Sequence, residues 1–449
     1  MKKVGFGLVG LMVLATLYYF TLGSTQIIEE MKKEINKEIQ ILKVSGFTID
    51  DREVKEKREQ FTITLEDTPK VAQHLAQQNM GVTPDIEMLK GLKIGIEITY
   101  LPTAFDAIAI KMTPLNLPTN FYTLVDPIQK SSLQQLEKMI EQKVFVAHVK
   151  INRSLSDFTG HFNDIDQKIL GEGNLSVLSS QGFTFKGTIE DEQIKSVTQV
   201  LKRLSYRIEN ELQIELLNLK STLVTSMESN QTHVDYSIES LEFSAENREK
   251  FYLFANNIIG TSKDTLQQKL LNNQRQFEIA ELNISIEKEQ HIFQKIQLNT
   301  AMNNINIEAI EKFNRLSSQN LGASEQMKKM MPILKEITDS DSSIDISKFS
   351  IDTIVSQGKV YNGFKLKALG SINKAFDWNE IEKSPFALLG LFNVKANLEV
   401  SNEIMATIAQ DPKAMMFMLM VQPKDNNGTK IFDVEYHQGS LKVNGKPFM

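Results

Sequence analysis

The residues best suited to chemistry in this chain are six histidines, which do not occur in closely spaced pairs. None accompanies a cysteine, because the chain has no cysteine. Zinc sites are usually marked by closely spaced histidine and cysteine ligands, so the spacing predicts no metal site. His161 lies near Asp164 and Asp166 and could share metal ligation with them, but we favour a solvated loop or strand edge. The histidines are His74, His148, His161, His233, His291 and His437.

A second group of ligand-type residues lies in the acidic segment DSDSSID at residues 339–345. Asp339, Asp341 and Asp345 are of the type that binds calcium. The segment lacks the central glycine and the closing glutamate of an EF-hand loop. We therefore interpret it as a polar loop, and as the best candidate for a boundary between two lobes.

Motifs for catalysis are absent from the sequence. It contains no G-x-S-x-G nucleophile elbow, no Walker A loop and no G-x-G-x-x-G. A methionine-rich segment at residues 415–421 could line an apolar ligand site, because methionine adapts to varied surfaces, but we prefer a role in core filling. We predict no catalytic, cofactor-binding or metal-binding residue, and no cofactor.

The longest apolar stretch begins with Val4, ends with Leu22 and carries no charge. As a helix it would be about 28 Å long, close to the hydrocarbon core of about 30 Å in a bilayer. Lys2 and Lys3 precede it and favour a cytoplasmic N-terminus. Its length favours an anchor over a signal peptide, whose apolar region has about 7–15 residues; cleavage after Gly23 stays open. The sequence predicts a single-pass protein of the bacterial inner membrane, with its body facing the periplasm.

Composition limits the class of protein further. The chain has 449 residues, 41% of them hydrophobic, and a formal net charge of −6. No basic stripe with interleaved aromatic residues is present, which argues against nucleic acid as a partner. The absence of cysteine rules out disulfides and suits an envelope protein, in which stray thiols would oxidise.

Helical spacing follows the apolar stretch. Ile28, Met31, Ile35, Ile39 and Leu42 recur at steps of 3, 4, 4 and 3 residues, which predicts a helix with one apolar face. This helix either continues as a stalk or packs on the following domain. A coiled-coil homodimer is a further alternative, although the pattern covers fewer than three heptads.

Alternation of apolar and polar residues predicts strands in most of the remaining chain. The predicted strands lie at residues 47–49 and 61–65 (a hairpin), 92–101, 105–115, 144–151, 174–190 (two strands), 351–359, 364–372, 392–400, and 431–437 with 440–443 (a terminal hairpin). The predicted helices begin at Thr68 and Asp126, cover residues 190–204, 247–259, 262–276, 305–319 and 324–338, and end with a short helix from Asp411.

Three segments share a six-residue pattern that begins at Ile214, Ile238 and Ile279. In each, leucine follows isoleucine after three residues, and another apolar residue follows two later. A flat strand repeats every two residues, so a step of three changes the face. A bulge would restore the phase, as would a strand that passes between two layers; chance in a chain rich in isoleucine and leucine is the alternative. The unequal spacing of the segments excludes a strict solenoid.

Features at both ends of the chain are similar to those of one protein family. The chain begins with Met-Lys-Lys and an apolar stretch, and continues as a long β-rich body. Near the end, the segment VKANLEV from Val394 precedes a helix, and a final hairpin reads GSLKVNGKP from Gly439. These features resemble the YdgA-like family of bacterial envelope proteins of unknown function. The resemblance implies an inner-membrane, periplasm-facing protein, and the family brings no catalytic residues to carry over.

The predicted fold class is α+β: an antiparallel β-rich extracytoplasmic body with interspersed helices, tethered by one N-terminal transmembrane helix. The predicted domains are an anchor at residues 1–23, a stalk helix at 24–44, a main β-rich lobe at 45–338 and a C-terminal α+β lobe at 339–449.

Three function classes compete. We favour a non-enzymatic envelope protein that binds or scaffolds partners, with the inner membrane contacted through Val4 to Leu22. The alternatives are a carrier of lipid or another apolar ligand in a β-lined groove, and an enzyme whose site is assembled from distant residues.

Overall fold

Antiparallel strands make up most of the fold. The computed structural model describes residues 27–77, 86–101, 105–120, 130–170, 175–190, 193–209, 211–226, 229–246, 250–287, 289–317, 323–373, 376, 390–410, 421–437 and 439–448. The chain divides into two compact units, Met1–Val224 (unit 1) and Thr225–Met449 (unit 2). This division differs from the lobe boundary that we predict at residues 339–345. That segment lies inside unit 2, where the strands Glu289–Asn306 and Ser343–Ser356 pair with each other.

Unit 1 combines helices with an antiparallel sheet in which β1 to β6 pair in chain order. Strand β6 then pairs with β9, and the long β10 pairs with β8, β9 and β11. The described elements of unit 1 are α1 (Ile27–Val44), β1 (Phe47–Val54), β2 (Arg58–Leu65), α2 (Thr68–Gln77), a short 3₁₀ helix (Ile86–Leu89), β3 (Lys93–Tyr100), β4 (Asp106–Pro114), α3 (Lys130–Glu141), β5 (Ala147–Asn152), β6 (Asp157–Phe162), β7 (Ile165–Leu170), β8 (Leu175–Gln181), β9 (Thr184–Glu190), β10 (Gln193–Ile208) and β11 (Leu212–Ser226).

The helix α1 confirms the predicted helical spacing, but it packs on unit 1 and does not project as a stalk. Ile35, Ile39 and Leu42 are each at most 1% exposed. They belong to one core cluster with residues of α2, α3 and the sheet, including Ile98 of β3. The helices therefore cover one face of the sheet in unit 1 and keep it dry, as an amphipathic antiparallel sheet requires.

A buried carboxylate connects α1 to this sheet. Glu59 of β2 is 1% exposed, and its Oε1 accepts a hydrogen bond from Nε of Arg52 at 2.6 Å. Its Oε2 accepts from the hydroxyl of Tyr100 at 3.0 Å. Arg52 also donates to the side chain of Asn36 in α1. Both oxygens of the buried carboxylate thus have donors, as a charge removed from water needs.

The predicted helix at residues 190–204 is wrong, because β10 occupies this region. Ile194, Val197, Leu201 and Leu204 have the helical steps of 3, 4 and 3, yet all four contribute to the core of unit 1 from a strand. One step of three spans a register shift after Ile194. The other spans an interruption of pairing at Lys202, with the register unchanged on either side. Two irregularities in one strand therefore imitate a helical period.

Unit 2 is a meander in which β12 to β18 pair in chain order and β18 pairs with β20. The described elements of unit 2 are β12 (Gln231–Glu246), β13 (Lys250–Gln267), β14 (Leu270–Ile286), β15 (Glu289–Asn306), α4 (Ile307–Ser317), α5 (Ala323–Asp339), β16 (Ser343–Ser356), β17 (Lys359–Ile372), β18 (Phe392–Ser401), α6 (Asn402–Ile408), β19 (Lys424–Asn426), β20 (Thr429–His437), β21 (Ser440–Val443) and β22 (Lys446–Pro447).

The sequence predicts parts of unit 2 correctly and other parts wrongly. The helices α4 and α5 and the terminal hairpin of β20 with β21 confirm the predictions. The predicted helices at residues 247–259 and 262–276 are wrong, because their described residues belong to strands β13 and β14 and to the turn at residues 268–269. The predicted start of a helix at Asp126 and the methionine-rich segment before Val421 lie outside the described residues.

The predicted fold class needs correction. Its β-rich character is confirmed. The predicted proportion of helix is too high, because several long segments predicted as helices are strands. Among the described residues, no helix combines the length and the apolar character needed to cross a bilayer. We therefore withdraw the single-pass anchor and the inner-membrane, periplasm-facing location that depended on it. The stretch from Val4 to Leu22 itself lies outside the described residues.

Candidate functional site

One face of the sheet in unit 2 is predominantly apolar from β12 to β18 and on β20. Cross-strand pairs place Ile258 beside Ile238 and Ile279, and place Ile296 beside Ile279 and Ile351. We call this surface the apolar face. Its central residues are Tyr236, Ile238, Leu241, Leu253, Ala255, Ile258, Phe277, Ile279, Leu282, Ile284, Phe293, Ile296, Leu298, Phe349, Ile351, Ile354, Tyr361, Phe364 and Leu366.

The opposite face of the same strands is polar where β14 meets β15. Three side-chain hydrogen bonds cross between these strands, each 3.2 Å long. They run from Gln290 to Asn283, from Gln294 to Glu281, and from Gln297 to Glu278. The sheet is therefore amphipathic, with one face suited to water and one face that needs cover.

A line of irregular positions crosses this sheet and keeps the apolar face continuous. Between each two neighbouring strands from β12 to β17, one facing pair of residues does not pair. The register is the same on both sides of this position. On every strand along the line, apolar residues three apart, such as Ala255 and Ile258, therefore share a face. The positions, in order from β12 to β17, are Glu239, Asn257, Ala280, Lys295, Asp352 and Gly363.

The backbone explains how the line forms. Asn257 and Lys295 have positive φ values of 48° and 52°, a left-handed conformation that changes which face the next side chain takes. Gly363 is so close to the neighbouring strand that a Cβ there would lie 1.6 Å from the carbonyl oxygen of Ile351. A bulge on one strand shifts the register, whereas matched irregularities on facing strands preserve it.

The line bears out the predicted change of face in two of the three six-residue segments. It passes directly after Ile238 and directly after Ile279. In β11 of unit 1, the comparable interruption lies at Asn218, which has a φ of 48°. The apolar residues that flank this change are therefore Leu216 and Leu219, and both pack against the core of unit 1.

The centre of the apolar face has little cover among the described residues. Its hydrophobic cluster consists of strand residues only, and in it Ala255, Ile258, Ile279 and Ile296 are buried while the other members are only partly buried. Helix α6 instead packs over the β17–β20 side of the face, where Met405 joins a separate small cluster. The side chains at the centre of the face therefore pack mainly against each other, and not against a second layer.

The dimensions of the face suit an elongated apolar ligand. Along β14, the apolar side chains from Phe277 to Ile286 span about 30 Å at about 3.4 Å per residue. The hydrocarbon core of a bilayer, which holds two leaflets, is about 30 Å thick. The run along one strand is therefore longer than a single acyl chain.

The structure brings two of the predicted lone histidines together in unit 1. His148 of β5 and His161 of β6 face each other in register, and their rings stack with centroids 4.9 Å apart and an interplanar angle of 13°. Burial is the largest cause that lowers the pKa of His148 below its ordinary value of 6.5. The charges of His161 and Lys111 lower this pKa further, and a hydrogen bond with Asn163 opposes them. The register of the β5–β6 hairpin brings the two histidines together, which their spacing along the sequence does not show.

The other proposed ligand residues do not converge. Oδ1 of Asp164 accepts a hydrogen bond from the backbone N–H of Gly182 at 2.7 Å, so it links the β6–β7 connection to the β8–β9 connection. Asp339 ends α5, and Asp345 lies in β16. In the part of the chain that the structure describes, no group of three or more histidine, aspartate or glutamate side chains could hold a metal ion.

Comparison with known proteins adds no relative to this picture. Neither the protein-family models, nor the curated proteins, nor the solved structures give a match to this chain.

Proposed function

We propose that unit 2 binds the acyl chain of a lipid on its apolar face. The observation that carries this proposal is a continuous apolar surface whose central cluster contains strand residues alone. Most residues of this cluster are only partly buried, and an apolar surface that keeps contact with water over more than a few hundred Å² usually marks a ligand or partner site. The line from Glu239 to Gly363 supports the proposal further, because it maintains the apolar surface through a change of phase in every strand that it crosses.

The energetics favour such a ligand. Removing one methylene group from water stabilises a complex by about 0.8 kcal/mol. About ten buried methylenes would contribute about 8 kcal/mol before the cost of ordering the ligand is subtracted. The half-buried side chains of the face would lose their remaining contact with water in the same step.

The predicted scaffold function and the predicted homodimer stay predictions, as does the resemblance to the YdgA-like family. A protein partner would also cover an apolar face. An acyl chain matches the observed features better, because the face is long, uniform and poor in charge at its centre. An enzyme of any class has less support, since the ligand-type residues do not converge in the described part of the chain.

The test is to purify the full chain under native conditions and to examine it for bound lipid by mass spectrometry. We expect acyl lipid at a substantial fraction of one per chain, and uptake of a fluorescent fatty acid. Leu253 and Ile284 face each other on the apolar face, so changing both to glutamine should reduce uptake strongly.

A matched control uses the opposite face of the same strand. The variant Asn283→Gln changes the residue beside Ile284 but leaves the apolar face intact, and it should take up fatty acid like the parent. Repeated preparations without lipid and without uptake would contradict the proposal. So would equal uptake by the apolar-face variant and the control.

A further inference from the structure

A small polar cluster interrupts the apolar face beyond Phe277. Ser262 and Asp264 of β13 pair with Arg275 and Asn273 of β14, so all four side chains lie on the apolar face. Nδ2 of Asn273 donates to Oγ of Ser262 at 3.3 Å and also to Oδ1 of Asp264. Oγ of Ser262 is 3.5 Å from the same oxygen of Asp264. The side chains of Asp264 and Asn273 are thus held in fixed positions.

Three polar groups of this cluster have no partner among the described residues. Asn273 is 2% exposed, yet its Oδ1 accepts no hydrogen bond. The hydrogen bonds from described residues to Asp264 all use Oδ1, which leaves Oδ2 without a donor from the described part of the chain. Arg275 is exposed and forms no ion pair with the described carboxylates. Two oxygens therefore lack donors, and a guanidinium group beside them lacks an acceptor.

We propose that this cluster binds the head group of a zwitterionic phospholipid that carries a primary ammonium group, with its acyl chain on the apolar face; this inference rests on the proposed function. Arg275 pairs with the phosphate, because guanidinium groups bind phosphate through two parallel hydrogen bonds. The ammonium group donates to Oδ2 of Asp264 and to Oδ1 of Asn273. From there, the apolar run along β14 receives the acyl chain.

The chemistry of the cluster distinguishes this head group from others. A primary ammonium group has three N–H donors, and the cluster offers two oxygens that lack a donor. A trimethylammonium head group has no N–H and would leave both oxygens unsatisfied. An anionic head group without an ammonium group places the same phosphate on Arg275 but offers no positive charge to the Asp264 carboxylate.

The test presents the full chain with vesicles that contain equal parts of phosphatidylethanolamine, phosphatidylcholine and phosphatidylglycerol. The protein is re-isolated, and its bound lipid is identified by mass spectrometry. One charge-assisted hydrogen bond corresponds to about tenfold in affinity, so we expect about ten molecules of phosphatidylethanolamine to be bound for each molecule of either other lipid, against a ratio of one in the vesicles.

Variants separate the head-group site from the acyl site. Asp264→Asn should abolish the enrichment while the total lipid per chain stays close to the parental level. Arg275→Gln should weaken the uptake of all three phospholipids alike, because all three carry the phosphate. Gln274→Ala, on the opposite face of β14, should keep the enrichment. Arg275 is exposed, so its variant should fold, and circular dichroism checks this.

The outcomes separate the two proposals. A parent protein that takes up no lipid of any kind contradicts the proposed function itself. A parent that binds lipid in the proportions of the vesicles contradicts only the head-group inference. The same holds for an Asp264→Asn variant that retains the enrichment, and for an Arg275→Gln variant that takes up all three phospholipids like the parent.

Discussion

Both units contain an antiparallel sheet with one apolar face, but they differ in what covers that face. In unit 1 the helices α1, α2 and α3 contribute to the core cluster, and β3 residues such as Ile98 are fully buried. In unit 2 the central cluster contains strand residues only, and most of its members are partly buried. An amphipathic antiparallel sheet is therefore not sufficient to define a closed core. What covers the sheet decides whether its apolar face stabilises the fold or is left for a ligand.

The largest expected effect comes from truncating one matched residue in each unit. Ile98→Ala removes a fully buried side chain and should destabilise unit 1 by about 4 kcal/mol, because the cavity cannot collapse. Leu282→Ala removes a partly buried side chain and should destabilise unit 2 by about 1 kcal/mol. Hydrogen exchange measured peptide by peptide reports each unit separately. Equal losses of protection in both units would remove the contrast between them.

A second prediction tests the line that keeps the apolar face continuous. A Cβ at Gly363 would lie 1.6 Å from the carbonyl oxygen of Ile351, so Gly363→Ala must displace backbone. We expect it to destabilise unit 2 by at least about 2 kcal/mol. The measurement is chemical denaturation followed by circular dichroism.

Gly370 provides the matched control on the same strand. A Cβ at Gly370 would lie 3.9 Å from its nearest neighbour, the carbonyl oxygen of Ile344. Gly370→Ala should therefore leave stability within about 0.5 kcal/mol of the parent. If the two variants unfold alike, the close approach at Gly363 has no energetic importance.

The smallest expected effect is a pH dependence of the stability of unit 1, which we expect to be weaker in unit 2. Burial is the main cause that lowers the pKa of His148, and of His74, below the ordinary value of 6.5. The unfolded chain therefore takes up protons more readily than the folded chain, and the stability of unit 1 is fully present above pH 6.5. It should fall as the pH drops from 6.5 through the lowered pKa values.

The measurement is the rate of hydrogen exchange in β5 and β6 as a function of pH, corrected for intrinsic exchange. His148→Gln should reduce the pH dependence just below pH 6.5. Peptides from unit 2 serve as the internal control and should show less change there. A parent profile without any slope below pH 6.5 would show that these histidines titrate as they do in the unfolded chain.

The sequence predicts local features of this fold better than the pairing between strands. Hairpins such as β1–β2 and the spacing of α1 are visible because each depends on a short segment. The strand β10 is hidden because its two irregular positions give helical steps of three, from Ile194 to Val197 and from Leu201 to Leu204. The pairing of His148 with His161 and the cluster around Asn273 depend on register across strands, which spacing along one segment does not reveal.

The line of irregular positions also restricts how this sheet can change in length during evolution. The left-handed residues Asn257 and Lys295 lie on β13 and β15, and Gly363 occupies the corresponding position on β17. Strand β14, between β13 and β15, has no residue with a positive φ, so the left-handed conformation lies on alternate strands from β13 to β15. Gain or loss of a single strand would place two such strands side by side and break the matching of the line. Gain or loss of a complete hairpin would preserve it, so we expect the width of the apolar face to evolve in steps of two strands.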